Sequence, residues 1–160
     1  SMGRGEGQPG SWASGVAALR ERLREFGLEE DGWVISDGSG LSYTNRVSAR
    51  TLVNALRLAD ESFRVGAELK AALPLAGEDG TLERRAGKAR GAVRAKTGLL
   101  NQVTALSGYA RLPDGEPVTF SLLVNGYRGS DEDAMAAVDR FVAALVRAPA
   151  RSIRHRKFGR

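Results

Sequence analysis

The chain contains no cysteine. Disulfides, cysteine-ligated zinc and a thiol nucleophile are therefore excluded, while the compartment stays open. There is one histidine, His155, near the C-terminal end. A Ser-His-Asp triad cannot be assembled from this chain, and a lone histidine in a basic tail reads as a solvated side chain. No apolar run approaches the ~20 residues of a membrane span. The opening "SMGRGEGQPG" lacks the apolar core of a secretory signal. Two glycine clusters, Gly38-Ser39-Gly40 and Gly77–Gly80, complete neither a Walker nor a dinucleotide fingerprint. Aromatic residues are only 6% of the chain.

Charge is present but uneven. The net charge is +5, yet residues 147–160 carry Arg147, Arg151, Arg154, Arg156, Lys157 and Arg160 and no acid, which leaves −1 for everything before them. A near-neutral body with a basic end and no aromatic platform argues against nucleic acid as the partner. The 160 residues suffice for one domain with a real core. We expect residues 1–10 to be linker or an expression remnant, 11–147 to fold, and 148–160 to be a basic, flexible tail.

The order of elements reads α+β. "SWASGVAALRERLREFG" (11–27) is a helix, with Val16, Leu19, Leu23 and Phe26 on one face, Ser11 or Ser14 as cap and Gly27 after its end. "GWVIS" (32–36) reads as a strand entering the glycine turn of "DGSGLS". Ser48 caps a second helix with Leu52, Leu56 and Ala59 inward, and 63–73 allow another short one. Residues 73–91 read as irregular surface structure. "VRAKTG" starts a strand region continued by "TALSGYARL" and "PVTFSLLVNGY", with Asp114-Gly115 as a hairpin turn. The last helix, "SDEDAMAAVDRFVAALVRA", has Ser130 and Asp133 at a capping-box-like start. Asp131, Glu132 and Asp133 suit its N-terminal dipole better than a metal. Its apolar stripe is Val138, Phe141, Val142 and Leu145. Trp12 and Trp33 are expected as core or helix-docking residues. About three antiparallel strands are few for a self-sufficient sheet, so the chain may be read as part of a larger one.

Lys96-Thr97-Gly98 is the candidate for chemistry. A lysine at a strand start offers a fixed positive charge suited to a carboxylate. Thr97 adds a hydroxyl donor. Gly98 removes a side chain, so an extended peptide can lie along the strand. Alone, the triplet is weak evidence.

Its surroundings carry more. "SDGSGLSYTNRVSARTLVNAL", "LPLAGEDGTLERR", "GAVRAKTGLLNQVTALSGYA" and "VTFSLLVNGY" together resemble the C-terminal portion of the D-alanyl-D-alanine carboxypeptidase/endopeptidase family, the PBP4-type class C penicillin-binding proteins (S13 serine peptidases). The resemblance runs from about Trp12 to about Val146. It implies the penicillin-binding-protein/β-lactamase-like transpeptidase fold, in which helices pack an antiparallel sheet. It also implies an active site of three elements, Ser-x-x-Lys, Ser-x-Asn and Lys-Thr-Gly. In that family a serine acylates on the penultimate D-alanine, and the acyl-enzyme is hydrolysed. Carried over, Lys96 and Thr97 would hold the terminal carboxylate of a peptidoglycan stem peptide or of a β-lactam. Leu99 would offer a backbone N–H to the oxyanion hole. Asp37, Ser39 and Ser42 would shape a turn near the cleft. Gly80 and Thr81 would fix a loop, and Arg84 or Arg85 an ion pair.

Two of the three elements are missing. No serine has a lysine three residues on, and none has an asparagine two residues on; Ser42 and Asn45 are three apart. The nucleophile is therefore expected on an N-terminal part of the same protein that precedes residue 1, and this chain alone is expected to be inactive. No metal or cofactor is expected. The resemblance implies an extracytoplasmic location. A second reading is a non-catalytic peptidoglycan- or peptide-binding module on the same scaffold; a third is an unrelated α+β domain with a chance triplet.

Overall fold

The computed structural model of the chain describes residues 10–28 and 30–149. The expected linker and basic tail lie almost wholly outside the described residues, as does His155. The chain forms two compact units that divide after Leu58.

The first unit opens with α1 (Trp12–Glu25). Ser11 Oγ accepts the Ser14 amide at 3.1 Å, and Ser14 Oγ accepts the Ser11 amide at 3.0 Å, so both candidate caps belong to one reciprocal box. Gly27 ends the helix with φ +80°. The apolar face is thinner than expected. Val16, Leu19 and Leu23 are half-buried, whereas Phe26 is exposed and Trp12 is 79% exposed. Trp12 is the first helical residue and Phe26 follows the last, so both fall off the ends of the stripe. Trp33 is buried as expected. β1 (Trp33–Val34) is shorter than the anticipated 32–36 and pairs antiparallel with β2 (Arg46–Val47). The loop between them pulls residues 36 and 37 off the ladder. Arg20 donates to the Ile35 carbonyl at 2.6 Å. Ser48 Oγ accepts the Thr51 amide at 3.0 Å, capping α2 (Ala49–Glu61), which carries the division between the units.

The second unit contains α3 (Gly66–Ala72) and a three-stranded antiparallel sheet of β3 (Val93–Leu100), β4 (Val103–Arg111) and β5 (Pro117–Asn125), in that order. α4 (Asp131–Leu145) follows. The β4–β5 turn is the one the sequence signals: Gly115 takes φ +86° and the Leu112 amide donates to the Glu116 carbonyl at 2.9 Å. The β3–β4 turn has no glycine; Gln102 adopts φ +55°, and its carbonyl accepts the Gly126 amide at 2.8 Å. Ser130 Oγ accepts the Asp133 amide at 3.1 Å and donates to Asp133 Oδ2 at 2.9 Å. Aspartate thus caps through the serine hydroxyl rather than reaching back to the backbone.

One face of the sheet carries the core. Val93, Ala95, Leu106, Ala110 and Phe120 pack with Val138 and Val142 of α4, and Leu122, Val124 and Leu145 close the margin. Period-two alternation turns Lys96, Ser107 and Ser121 to the other face, where the two serine hydroxyls meet at 2.8 Å. Phe141, expected in the α4 stripe, is exposed, because Val138, Val142 and Leu145 alone form the line that meets the sheet. Residues 73–91 are irregular and many of them are exposed, as expected, but the segment also supplies core. Ala76, Leu82, Ala86 and Ala89 join the core, and Leu82 is fully buried. Burying one such leucine contributes about 1.5–3 kcal/mol. The irregular backbone is satisfied locally, Gly77 donating to Leu82 at 2.9 Å and Gly91 to Ala76 at 3.1 Å.

Candidate functional site

The triplet lies in the middle of β3, not at its start as expected, because buried Val93 and Ala95 extend the strand backwards. β3 is an edge of the three-stranded sheet. The first half of that edge is covered. Ala95 donates to the Pro74 carbonyl at 3.1 Å, and Ala76 donates to the Val93 carbonyl at 2.9 Å. Backbone groups of alternate residues point the same way along a strand, so Thr97 and Leu99 also direct their N–H and C=O away from β4. The cover ends with the bridge between Leu75 and Arg94. Among the described residues the edge is therefore open from Thr97 onward.

Consecutive strand residues point to opposite faces, which would part Lys96 from Thr97. The lysine stem overcomes this. Lys96 Nζ curls over the edge and donates to the Thr97 carbonyl at 2.7 Å. Its charge thereby stands on the open side beside the Thr97 peptide. Lys96 is exposed and Leu99 is 51% exposed. A Cβ on Gly98 would meet only Ala105 Cβ at 3.3 Å, so packing within the chain makes little demand for glycine there.

Thr97 has a partner that sequence reasoning assigned only to a loop. Its Oγ1 donates to Thr81 Oγ1 at 2.9 Å. Thr81 sits in a 3₁₀ turn, Gly80–Leu82, between the φ +52° of Gly80 and the buried Leu82. That segment is held to α4 by Arg85, which donates to Asp139 Oδ1 at 2.8 Å, while the Ala86 amide donates to Asp139 Oδ2 at 3.1 Å. Arg85, not Arg84, makes the ion pair foreseen for this block.

Asp37, Ser39 and Ser42 belong to the first unit and form a self-contained turn. Asp37 Oδ1 accepts the Ser39 amide at 3.0 Å, the Ser39 hydroxyl at 2.9 Å and Asn45 Nδ2 at 3.1 Å. Asn45 Oδ1 accepts the Ser36 amide at 2.7 Å. The Ser39 hydroxyl is the largest influence holding the Asp37 carboxyl below its ordinary range, with Asn45 and the Ser39 and Gly40 amides assisting against desolvation. Ser42 Oγ lies 2.6 Å from Thr44 Oγ1 and accepts the Thr44 amide at 3.2 Å. Asn45, whose spacing from Ser42 disqualified it as a Ser-x-Asn member, is the residue that closes this loop.

Comparison with known proteins identifies the family. The sequence profile of the D-Ala-D-Ala carboxypeptidase 3 (S13) family matches residues 1–145. A D-alanyl-D-alanine carboxypeptidase of Actinomadura sp. (strain R39) is 40% identical over 136 residues, 81% of this chain and 25% of the relative. Carboxypeptidase DacB of Mycolicibacterium smegmatis is 38% identical over 147 residues, 84% of this chain and 31% of the relative. Penicillin binding protein 4 (dacB) from Haemophilus influenzae, solved in complex with a novel β-lactam, superposes with TM-score 0.75 at 31% identity over 86% of this chain and 33% of that one. The chain thus spans about a quarter to a third of the length of these relatives. With the helices and antiparallel strands in the expected α+β arrangement, the chain belongs to the D-Ala-D-Ala carboxypeptidase 3 (S13) family.

Proposed function

We propose that the chain is the C-terminal, substrate-binding portion of a penicillin-binding serine D-alanyl-D-alanine carboxypeptidase/endopeptidase acting on peptidoglycan stem peptides. The observation that carries this reading is the half-open edge of β3, which has the Lys96 ammonium and, by alternation, the Leu99 N–H on its free side, with the Thr97 hydroxyl held by Thr81 on the same strand. Lys96 attracts the terminal carboxylate, or the corresponding carboxylate of a β-lactam, and Thr97 donates to it. The substrate backbone adds along the edge past Gly98, where the missing side chain leaves room. The Leu99 N–H points where the oxygen of the attacked carbonyl would develop charge. The attacking serine, its lysine and the Ser-x-Asn serine come from the rest of the protein. The substrate places the reaction outside the cytoplasmic membrane; among the described residues no helix is long and apolar enough to cross one.

Labelling with a fluorescent penicillin tests the reading. Full-length protein is expected to form a covalent adduct and this chain alone none. Loss of the charge-assisted contact in Lys96→Ala is worth about 1.5–3 kcal/mol, so acylation should slow at least tenfold. An unchanged rate would remove Lys96 from the site. Full-length protein that binds stem peptide without acylating would favour a binding module.

A further inference from the structure

Arg84 and Lys88, the latter within the 3₁₀ turn Gly87–Ala89, line one open groove of ≈ 420 Å³ together with Arg140 of α4 and Arg147 just past its C-terminal end. The floor is small: Ala86, Gly87, Ala136, Ala143 and Ala144. All four cations are exposed, and none makes an ion pair or side-chain hydrogen bond among the described residues. Among the described residues the only carboxylate lining the groove is Asp139, which is already occupied by Arg85 and the Ala86 amide. The near-neutral body of the chain thus hides a concave surface of one sign. Four like charges around one concavity repel each other and are relieved by an anion.

The exposure decides what kind of anion. A single exposed ion pair is worth about 0–1 kcal/mol, too little to hold a small monoanion. Several such contacts made at once by a linked set of charges add up. Three of the four cations are arginines, whose planar forks suit oxyanions. We propose that this groove binds a flexible linear polyanion through its phosphate or carboxylate groups. The proposal is independent of the catalytic reading, since it uses none of the residues on the β3 edge.

The test measures binding of inorganic polyphosphate and of poly-L-glutamate to full-length protein across a salt series. It compares wild type with the double variants Arg140→Gln/Arg147→Gln and Arg84→Gln/Lys88→Gln, leaving the C-terminal tail intact. Wild type is expected to bind, with log Kd rising linearly with log salt. Each double variant should weaken binding roughly fivefold at low salt and lower the slope by roughly one to two. Binding of polyphosphate alone would identify a phosphate polymer as the source, polyglutamate alone a carboxylate polymer, and both a response to charge density; each supports the groove. No binding of either polymer overturns the proposal. So does binding that both double variants retain with wild-type affinity and slope, which would move the contact to the tail. Competition by inorganic phosphate at micromolar concentration would also overturn it, because a discrete ion site would then replace a polyanion groove.

Discussion

Asp139 on α4 holds Arg85 at 2.8 Å and the Ala86 amide at 3.1 Å. One carboxylate thus fixes both a guanidinium and a backbone group in left-handed conformation, Ala86 having φ +49°. The pair is largely shielded, at 17% and 22% side-chain exposure. Asp139→Ala leaves the Ala86 amide without its acceptor and the partly buried guanidinium with only the Met135 carbonyl at 3.5 Å. The expected cost is about 2–3 kcal/mol, read as a lower denaturation midpoint. Asp139→Asn should recover part of it. A midpoint unchanged in Asp139→Ala would mean that the segment is held by its buried apolar residues alone.

Thr81 meets Thr97 hydroxyl to hydroxyl. When Thr97 turns its proton toward a carboxylate, Thr81 can donate to the oxygen left behind. Thr81→Val keeps the shape and removes the hydroxyl. In full-length protein the preference for a peptide with a free terminal carboxylate over its C-terminal amide should shrink roughly three- to tenfold, and Thr81→Ser should restore it. Full discrimination in Thr81→Val would leave Thr81 a loop residue only.

Two glycines of the sheet should behave oppositely. A Cβ at Gly108 would lie 2.1 Å from the Arg94 carbonyl oxygen and 2.6 Å from Ala95 Cα. Gly108→Ala must therefore push β3 from β4, at about 3 kcal/mol or more. Gly98→Ala needs only a few tenths of an ångström from Ala105. It should melt within about 1 kcal/mol of wild type yet acylate more slowly, because its methyl stands where the substrate lies. Equal thermal stability of the two variants would contradict the packing argument.

Thr104 is fully buried with no partner for its hydroxyl among the described residues. Thr104→Val replaces that hydroxyl with a methyl and should stabilise by about 1 kcal/mol. A loss of stability would show that the hydroxyl is satisfied in the full-length protein.

Asp37 sets a pH signature. Its carboxyl is held below the ordinary value of 3.8, chiefly by the Ser39 hydroxyl. A depressed folded-state pKa means that the turn is favoured above the ordinary aspartate pKa and loses that contribution as pH falls through the lower, folded value. The carboxyl carbon shift of Asp37, followed by NMR, should titrate below 3.8, and Ser39→Ala should raise the midpoint. The same midpoint in both proteins would remove Ser39 as the cause.

What the sequence made legible was local. Ser11, Ser48 and Ser130 announced helix starts because a cap is a contact within three residues, and Asp114-Gly115 announced its hairpin through backbone conformation alone. The Lys-Thr-Gly triplet gained meaning from its neighbouring blocks. The β1–β2 pairing escaped notice because Arg46–Val47 is too short to show a period. The pairing of Pro74 and Ala76 with β3, and of Thr81 with Thr97, joins segments 16 or more residues apart. No periodicity encodes such meetings. The core share of residues 73–91 is hidden for a related reason: frequent glycine and proline signal irregular backbone, which says nothing about burial.

The short cover over Val93 and Ala95 has one more consequence. An uncovered eight-residue edge would be a template on which copies of the protein could stack into larger aggregates. Along β3 a neighbouring chain finds only the outward groups of Thr97 and Leu99, and Lys96 guards the first of them with a charge. Two residues of ladder are too few to hold two folded copies together. On this edge, the room left for chain-to-chain pairing and the room for the proposed peptide end are set by the same stopping point, at Ala95.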